Sequence, residues 1–169
     1  ELPEGCDLSE GLVMSATHTH DGPGAIANHS ARYFWLAMDY YQPALFNRIV
    51  KQLAAPIVDS IRNLQAAKVG HAVGSDTQGL NGFRRNQLNN GRAAERDSLR
   101  KRIGVVRIDT ADDQPLAVVI NFAAHGIAFD VENLYFSGDV LAAVEREVEQ
   151  QFDTPVLAML VQSAGGDVS

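Results

Sequence analysis

Residues 103–122 read Ile-Gly-Val-Val-Arg-Ile-Asp-Thr-Ala-Asp-Asp-Gln-Pro-Leu-Ala-Val-Val-Ile-Asn-Phe, which places two β-rich runs on either side of a short polar segment. Runs of this kind, over 103–109 and 115–122, predict a β-hairpin. The two strands of a hairpin are antiparallel, so a sheet that contains them is not wholly parallel. The second run leads directly into Ala-Ala-His125-Gly, which brings a histidine to the predicted end of a strand.

Further strands and two helices are predicted outside the hairpin. Apolar residues recur at helical spacing over 43–67, where Pro56 predicts a kink or two abutting helices. A second helix is predicted over 139–152, capped by Ser137 or Asp139. The remaining predictions are strands over 12–17, 68–74 and 155–161, and a long loop over 76–102. This alternation predicts an α/β or α+β fold with a mixed sheet flanked by helices and candidate metal-site histidines at strand ends.

Composition and charge narrow the function classes. A chain of 169 residues with 21% charged and 46% hydrophobic residues is typical of one globular domain, predicted here over 1–169. The net charge of −7 argues against a nucleic-acid partner. The longest apolar stretch, 115–124, is much shorter than the roughly 20 residues of a membrane span, and residues 1–4 show no signal-peptide pattern. The single cysteine, Cys6, does not indicate a compartment.

The strongest chemical motif is Thr17-His18-Thr19-His20-Asp21-Gly22-Pro23-Gly24. Side chains two apart on a strand share a face, so His18 and His20 can reach one ligand where the predicted strand ends. Zinc readily takes neutral imidazole nitrogens, and catalytic zinc sites combine three protein ligands with an open position. The alternative is a pair of hydrogen-bonded histidines at a strand end. The position before Gly-Pro-Gly favours metal, since glycine lets backbone and ligand approach closely.

The other histidines divide into two groups. His125 follows an apolar run and precedes Gly126, so it occupies the same kind of position as His18 and His20. Histidines at two strand ends can converge on one edge of a sheet, which favours a metal role for His125 over a structural one. His29 and His71 have no such context and are interpreted as ordinary surface or packing residues.

Two further motifs carry weaker signals. Residues 161–169 read Val-Gln-Ser-Ala-Gly-Gly-Asp-Val-Ser, and a buried strand that runs into Ala-Gly-Gly-Asp indicates a close backbone approach. Ser169 has no functional signal outside that context. Helix capping fully explains Ser137-Gly138-Asp139.

Taken in chain order, these pieces resemble the neutral/alkaline ceramidase family over nearly the whole chain. The first motif, 15–24, is similar to the family's Ser-Ala-Thr-His-Thr-His-Ser-Gly-Pro-Gly and differs only at Asp21. Residues 103–126 resemble its hairpin and second histidine, and 162–169 resemble the strand that leads into its nucleophile motif, Gly-Asp-Val-Ser-Pro. Asn133-Leu-Tyr-Phe-Ser-Gly-Asp139 and the Asn/Arg-rich loop Asn81-Gly-Phe-Arg84-Arg85-Asn86 also have counterparts, the latter much less specific.

The resemblance implies a role for each matching residue. His18 and His125 would be ligands of Zn²⁺, and His20 would stand beside the metal and contact substrate or the transition-state oxygen. Arg84, or else Arg85, would hold a polar group of the substrate through its planar donor fork. Ser169 would occupy the position proposed for the nucleophile. Whether Ser169 or a zinc-activated water attacks stays open.

The implied function is a zinc-dependent amidase, a hydrolase of linear amide bonds in sphingolipid metabolism that splits N-acylsphingosine into a fatty acid and a sphingoid base. The implied partners are a ceramide-like lipid amide and a peripheral membrane surface, and the implied location is secreted, periplasmic or cell-surface. The family completes its zinc site with a Glu and a Tyr further downstream. The chain is therefore interpreted as a fragment of a larger catalytic domain that alone binds metal weakly and is inactive.

Three other interpretations remain. His-x-His also opens the metallo-β-lactamase-like motif and the metal site of amidohydrolase barrels, but Asp21 directly follows His20 and no further histidine comes next. A second interpretation is a non-catalytic module with the same fold. A third retains the catalytic groups but acts on another N-acyl substrate.

Overall fold

The computed structural model describes residues 11–27, 39–79, 101–129, 132–165 and 168. The chain divides into two compact units. One comprises Glu1–Val13 and Gly22–Gln65, and the other comprises Met14–Asp21 and Ala66–Ser169. Among the described residues, no helix is both long enough and apolar enough to cross a bilayer.

The first unit contains helix α1, Pro43–Arg62. Pro43 begins the helix, where a missing backbone N–H removes no intrahelical hydrogen bond. At the other end the Asn63 side chain donates to the carbonyl of Asp59 at 2.7 Å. The helix continues through Pro56 as one element, so the predicted alternative of two abutting helices is wrong. Proline removes a single hydrogen bond, and the turns on either side retain theirs.

The second unit is built on a four-stranded mixed sheet with the strand order β1-β2-β3-β4. The strands are β1, Ala67–Ser75; β2, Arg102–Thr110; β3, Pro115–Phe122; and β4, Leu157–Gln162. β2 pairs antiparallel with both β1 and β3. The pairing of β2 with β3 confirms the predicted hairpin. β4 pairs parallel to β3, in a register that sets Phe122 opposite Gln162. The predicted mixed sheet, within an α/β or α+β fold, is therefore confirmed.

Helix α2, Asp139–Glu149, connects β3 to β4 and supports the edge strand. Its Leu141 is completely buried, and Val118 and Ile120 of β3 form the sheet's core cluster with Val156. Carboxylates of α2 also bind β4 directly, since Glu145 and Glu149 accept the backbone N–H groups of Leu160 and Ala158 at 2.8 and 3.0 Å. These contacts satisfy donors that an edge strand would otherwise leave unpaired.

The strand predicted over 12–17 does not form. Val13 and Met14 are exposed, at 86% and 72%, and residues 12–18 make no strand pairing. A strand needs a partner for its backbone hydrogen bonds. The first paired residue after this segment is Thr19, which forms an isolated parallel bridge with Gly126. The apolar composition of 12–17 was therefore insufficient evidence for a strand.

Candidate metal centre

Three histidines converge beyond the carboxyl end of β3. His125 follows that strand within a short loop, and His18 and His20 lie on the segment Met14–Asp21 of the same unit. The backbone N–H of His20 donates to the carbonyl of Gly126 at 3.0 Å, and Thr19 forms the bridge with Gly126. The pairing of Thr19 with the residue after His125 therefore brings the two histidine motifs together.

The three imidazoles approach one another through their Nε2 atoms. His125 Nε2 lies 3.2 Å from His18 Nε2 and 3.1 Å from His20 Nε2. One ring nitrogen from each histidine lies within 4.8 Å of the others. The rings meet at steep angles, 85° between His18 and His125 and 58° between His20 and His125, rather than stacking face to face. Their nitrogens therefore point towards a common centre.

The orientation of the His125 ring is fixed by a contact at Nδ1, on the side of the ring away from the other two histidines. The residue is buried, and its Nδ1 lies 3.1 Å from the carbonyl oxygen of Gly165. A carbonyl oxygen only accepts, so Nδ1 carries the proton and donates it, and Nε2 keeps its lone pair for the centre of the cluster. Metal-binding histidines characteristically have a backbone carbonyl or carboxylate in this second position.

The spacing suits a metal ion better than a network of hydrogen bonds. Two nitrogens that share one tetrahedral zinc at about 2.0–2.1 Å lie roughly 3.3 Å apart. The observed separations of 3.1 and 3.2 Å are close to that value. The Nε2 atom of neutral His125 has one lone pair and can accept one well-aligned hydrogen bond. Two ring nitrogens approach this atom, so hydrogen bonding alone would satisfy only one of the two contacts. One cation at the centre would use all three lone pairs, so the three-histidine cluster can bind a metal.

The backbone of His18 adopts a left-handed conformation, with φ at 67°. This region is uncommon for residues other than glycine, although histidine occurs there more often than most, and it costs about 1–3 kcal/mol. The prediction that His18 and His20 share a face because they alternate along a strand was therefore wrong in its reasoning. The left-handed backbone conformation at His18, rather than strand alternation, accompanies the convergence of the two rings.

The pKa of His18 is lowered from its ordinary value of 6.5, first by desolvation of its partly exposed ring and then by the neighbouring His125 and His20. Loss of surrounding water and two adjacent imidazoles both disfavour the protonated form. Neutral imidazole is the form that binds metal, so these surroundings keep His18 ready for a cation.

This shift predicts a loss of stability in mild acid. The unfolded chain binds the His18 proton more tightly than the folded chain, so the contribution of His18 is complete above pH 6.5 and is lost as pH falls from 6.5 through the lowered pKa. We expect the denaturant concentration at the unfolding midpoint of the metal-free chain to be lower at about pH 5.5 than at about pH 7.5. This decrease should be smaller in His18→Gln. The matched control is His71→Gln on β1, which should retain the full decrease; equal decreases in all three proteins would contradict the prediction.

A hydrogen-bond network supports the His18–His20 segment from the side of α2. Thr19 Oγ1 donates to the carbonyl of Ser137 at 2.8 Å and accepts the N–H of Asp21 at 3.2 Å. The N–H of Ser137 in turn donates to the carbonyl of Asp21 at 3.2 Å. The Asn133 side chain donates to Asp21 Oδ1 at 3.0 Å. The residue between the two histidines is thus tied to the loop before α2.

The motif Ser137-Gly138-Asp139 does not cap α2 as predicted, because the N-cap residue is Gly138 and no side chain makes a cap hydrogen bond there. Ser137 Oγ instead accepts the N–H of Asp139 at 2.9 Å, and Asp139 Oδ1 accepts the N–H of Val140, so both bonds stay within the turn that begins the helix. Asp139 is also buried, and its Oδ2 accepts the N–H of Ala128 at 2.9 Å. This contact fixes the backbone that leaves the His125 loop, and the predicted capping role gave no indication of it.

Asp21 is the position at which the chain differs from the family's first histidine motif. One of its carboxylate oxygens has no hydrogen-bond partner among the described residues. Its Oδ1 binds Asn133, but Oδ2 is shielded from solvent and has no hydrogen-bond partner among the described residues. A buried acceptor without a partner costs about 1–3 kcal/mol. The carboxylate does not join the cluster formed by His18, His20 and His125.

Other predicted site residues cannot be placed in this arrangement. Arg84, Arg85, Ser169 and His29 lie outside the described residues. Their proposed roles therefore stay predictions. His71 lies exposed on β1 and does not join the cluster. Sequence reasoning missed the supporting residues Thr19, Gln162 and Gly165, of which only the glycine had a signal, in the Ala-Gly-Gly-Asp motif.

A mixed sheet with three histidines beyond its strand end defines a candidate metal centre, since catalytic zinc sites combine three protein ligands with an open position. The chain belongs to the neutral/alkaline non-lysosomal ceramidase family, whose N-terminal family model matches residues 8–169. This finding confirms the resemblance inferred from the motifs.

Solved structures agree with the fold. A ceramidase complexed with C2 matches with a TM-score of 0.78 and 20% identity, over 92% of this chain and 24% of that one. Neutral ceramidase from Pseudomonas aeruginosa matches with a TM-score of 0.79 and 21% identity, over 92% of this chain and 25% of that one. The chain thus spans about a quarter of the length of these structures. No curated protein sequence matches it.

Proposed function

We propose that this chain forms part of a zinc-dependent amide hydrolase that cleaves N-acylsphingosine into a fatty acid and a sphingoid base. The observation that carries the proposal is the approach of His18 and His20 to within 3.2 Å of His125 Nε2. Membership of the ceramidase family supports the reaction class and a lipid amide substrate.

His18 and His125 are the proposed zinc ligands. His20 Nε2 lies as close to His125 Nε2 as His18 does, so it can serve as a third nitrogen donor or face the oxygen on which charge develops. His125 directs Nε2 at the site because its Nδ1–H is held by Gly165. Zinc would supply Lewis-acid polarisation of the amide carbonyl and activation of the nucleophile.

The reaction adds the elements of water across the amide. The C–N bond breaks, the acyl carbon gains a hydroxyl as a fatty acid, and the nitrogen gains a hydrogen as the amine of the sphingoid base. We propose that Ser169 or a water molecule supplies the attacking oxygen and that Arg84 or Arg85 holds a polar group of the substrate. A lipid substrate is consistent with action at a membrane surface. We propose a secreted, periplasmic or cell-surface location only because the resemblance to the family implies it.

The test uses fluorescent N-acylsphingosine and a longer polypeptide that contains residues 1–169, with the 169-residue chain measured alongside. We expect the longer protein to lose activity on chelation and to regain it with stoichiometric zinc. His18→Ala and His125→Ala should lose both zinc and activity. His20→Ala distinguishes its two roles, because a ligand variant loses zinc whereas a substrate-contacting variant keeps zinc and loses turnover.

Three outcomes would contradict the proposal in different ways. Full activity after complete removal of metal would exclude zinc dependence. Turnover of other N-acyl lipids or peptides, but not of N-acylsphingosine, would make the protein a ceramidase-like hydrolase with another substrate. Zinc binding without turnover of any amide would identify a non-catalytic module of the same fold.

A further inference from the structure

We infer that Gln162 is a positioning residue for His125, holding the backbone that presents its imidazole to the metal. Gln162 is the last residue of β4 and lies opposite Phe122, the last residue of β3. The backbone ladder continues for one more bond, from the N–H of Ser163 to the carbonyl of Phe122 at 3.1 Å. Beyond that bond, a side chain replaces the strand partner.

The Gln162 amide binds both backbone groups of Ala124, the residue directly before His125. Its Oε1 accepts the N–H of Ala124 at 3.2 Å, and its Nε2 donates to the carbonyl of Ala124. This pair of contacts needs one acceptor and one donor on the same planar group, which the side-chain amide of glutamine supplies and an ionised carboxylate does not. Glutamate has nearly the same shape but lacks the donor.

The same amide packs against the group that orients the His125 ring. A Cβ on Gly165 would lie 2.6 Å from Gln162 Nε2 and 3.0 Å from the carbonyl of Ala124. The carbonyl of Gly165 accepts the Nδ1–H of His125 at 3.1 Å. Displacement of the amide therefore affects both the backbone before His125 and the acceptor that fixes its tautomer.

The consequence for the metal site follows from the direction of Nε2. His125 Nε2 is the atom that approaches both other imidazoles, so a small rotation of this ring changes two separations together. Groups that orient a ligand histidine typically change metal affinity by about 10–100-fold when they are lost. The inference rests on one part of the proposed function, namely that the three histidines bind zinc, and does not depend on the substrate.

The experiment compares Gln162→Glu with Gln151→Glu in the 169-residue chain. Gln151 is the control because it is exposed and its amide binds only Glu147 among the described residues. The readouts are Zn²⁺ affinity by competition with a chromophoric chelator, and the ring ¹⁵N chemical shifts of His125 in the metal-free protein. We expect Gln162→Glu to weaken Zn²⁺ binding about tenfold or more and to change the His125 shifts, whereas Gln151→Glu changes neither.

Unchanged zinc affinity and unchanged His125 shifts in a folded Gln162→Glu protein would overturn the inference and leave Gln162 a purely structural residue. If that variant does not fold, Gln162→Met retains the volume without introducing a charge, and the same two readouts decide. The two proposals fail in different ways. An unmodified chain that binds no zinc would contradict the proposed function, whereas the His125 shifts of the metal-free variants would still show whether Gln162 sets the tautomer of that ring.

Discussion

Replacement of His125 by alanine should weaken Zn²⁺ binding by about 100-fold, the largest effect expected from any single histidine. Structural zinc sites in zinc-finger peptides bind with about 10–16 kcal/mol from four ligands, so one ligand contributes about 3 kcal/mol. The same loss per ligand is expected from the weaker site that three histidines form. His125 is central because both other ring nitrogens approach its Nε2 and because it is the buried member of the cluster. Affinity would be measured by competition with a chromophoric chelator.

The matched control for this variant is His71→Ala, which removes an exposed histidine of β1 that does not join the cluster. Its zinc affinity should equal that of the unmodified chain. Far-UV circular dichroism of the metal-free proteins would show that the sheet persists in both variants. Equal zinc affinities for His71→Ala and His125→Ala would place the metal elsewhere in the molecule.

Replacement of Gly126 by valine should separate the two histidine motifs and abolish tight convergence of the rings. Even a Cβ at this position would lie 2.7 Å from Thr19 Cα, 3.0 Å from the carbonyl of His18 and 3.2 Å from Leu141 Cδ1. Two of these atoms belong to backbone and cannot rotate away, so the His18–His20 segment must move. We expect a loss of zinc affinity comparable to that of a histidine variant and destabilisation of about 1–3 kcal/mol from overpacking.

The control for Gly126→Val is Gly70→Val on β1, where a Cβ meets no atom within 4 Å. That variant should retain zinc affinity, and valine also suits a strand position. Zinc titration and chemical denaturation would be measured on both proteins. Retention of full zinc affinity by Gly126→Val would show that the Thr19–Gly126 bridge is unnecessary for the site.

Local sequence patterns were sufficient for most of the described elements. The hairpin of β2 and β3 was predicted because each run is rich in β-branched residues and the connection is short. Helix α2 ends at Glu149 rather than 152, and β4 begins at Leu157 rather than 155, which are ordinary errors at element boundaries. The strand predicted over 12–17 was wrong because an apolar run does not supply its own hydrogen-bonding partner.

The candidate site was predicted less completely. Its three histidines were identified as candidates from residue type and from neighbouring glycines, and the structure brings them together. The supporting groups were missed, since Gln162 and Asp139 act on backbone groups 38 and 11 residues away in the chain. No local pattern encodes such contacts.

Residue order alone was enough to indicate the mixed sheet, the family and the candidate metal-binding histidines, because strand pattern and imidazole chemistry are local properties. The closeness of His18 and His125, which are 107 residues apart, depends on the bridge between Thr19 and Gly126, and the direction of His125 depends on Gly165. Those contacts exist once β3 and β4 have paired and α2 has packed against them. Metal geometry is therefore a property of the folded chain, since nitrogens must be held about 3 Å apart before they can share an ion.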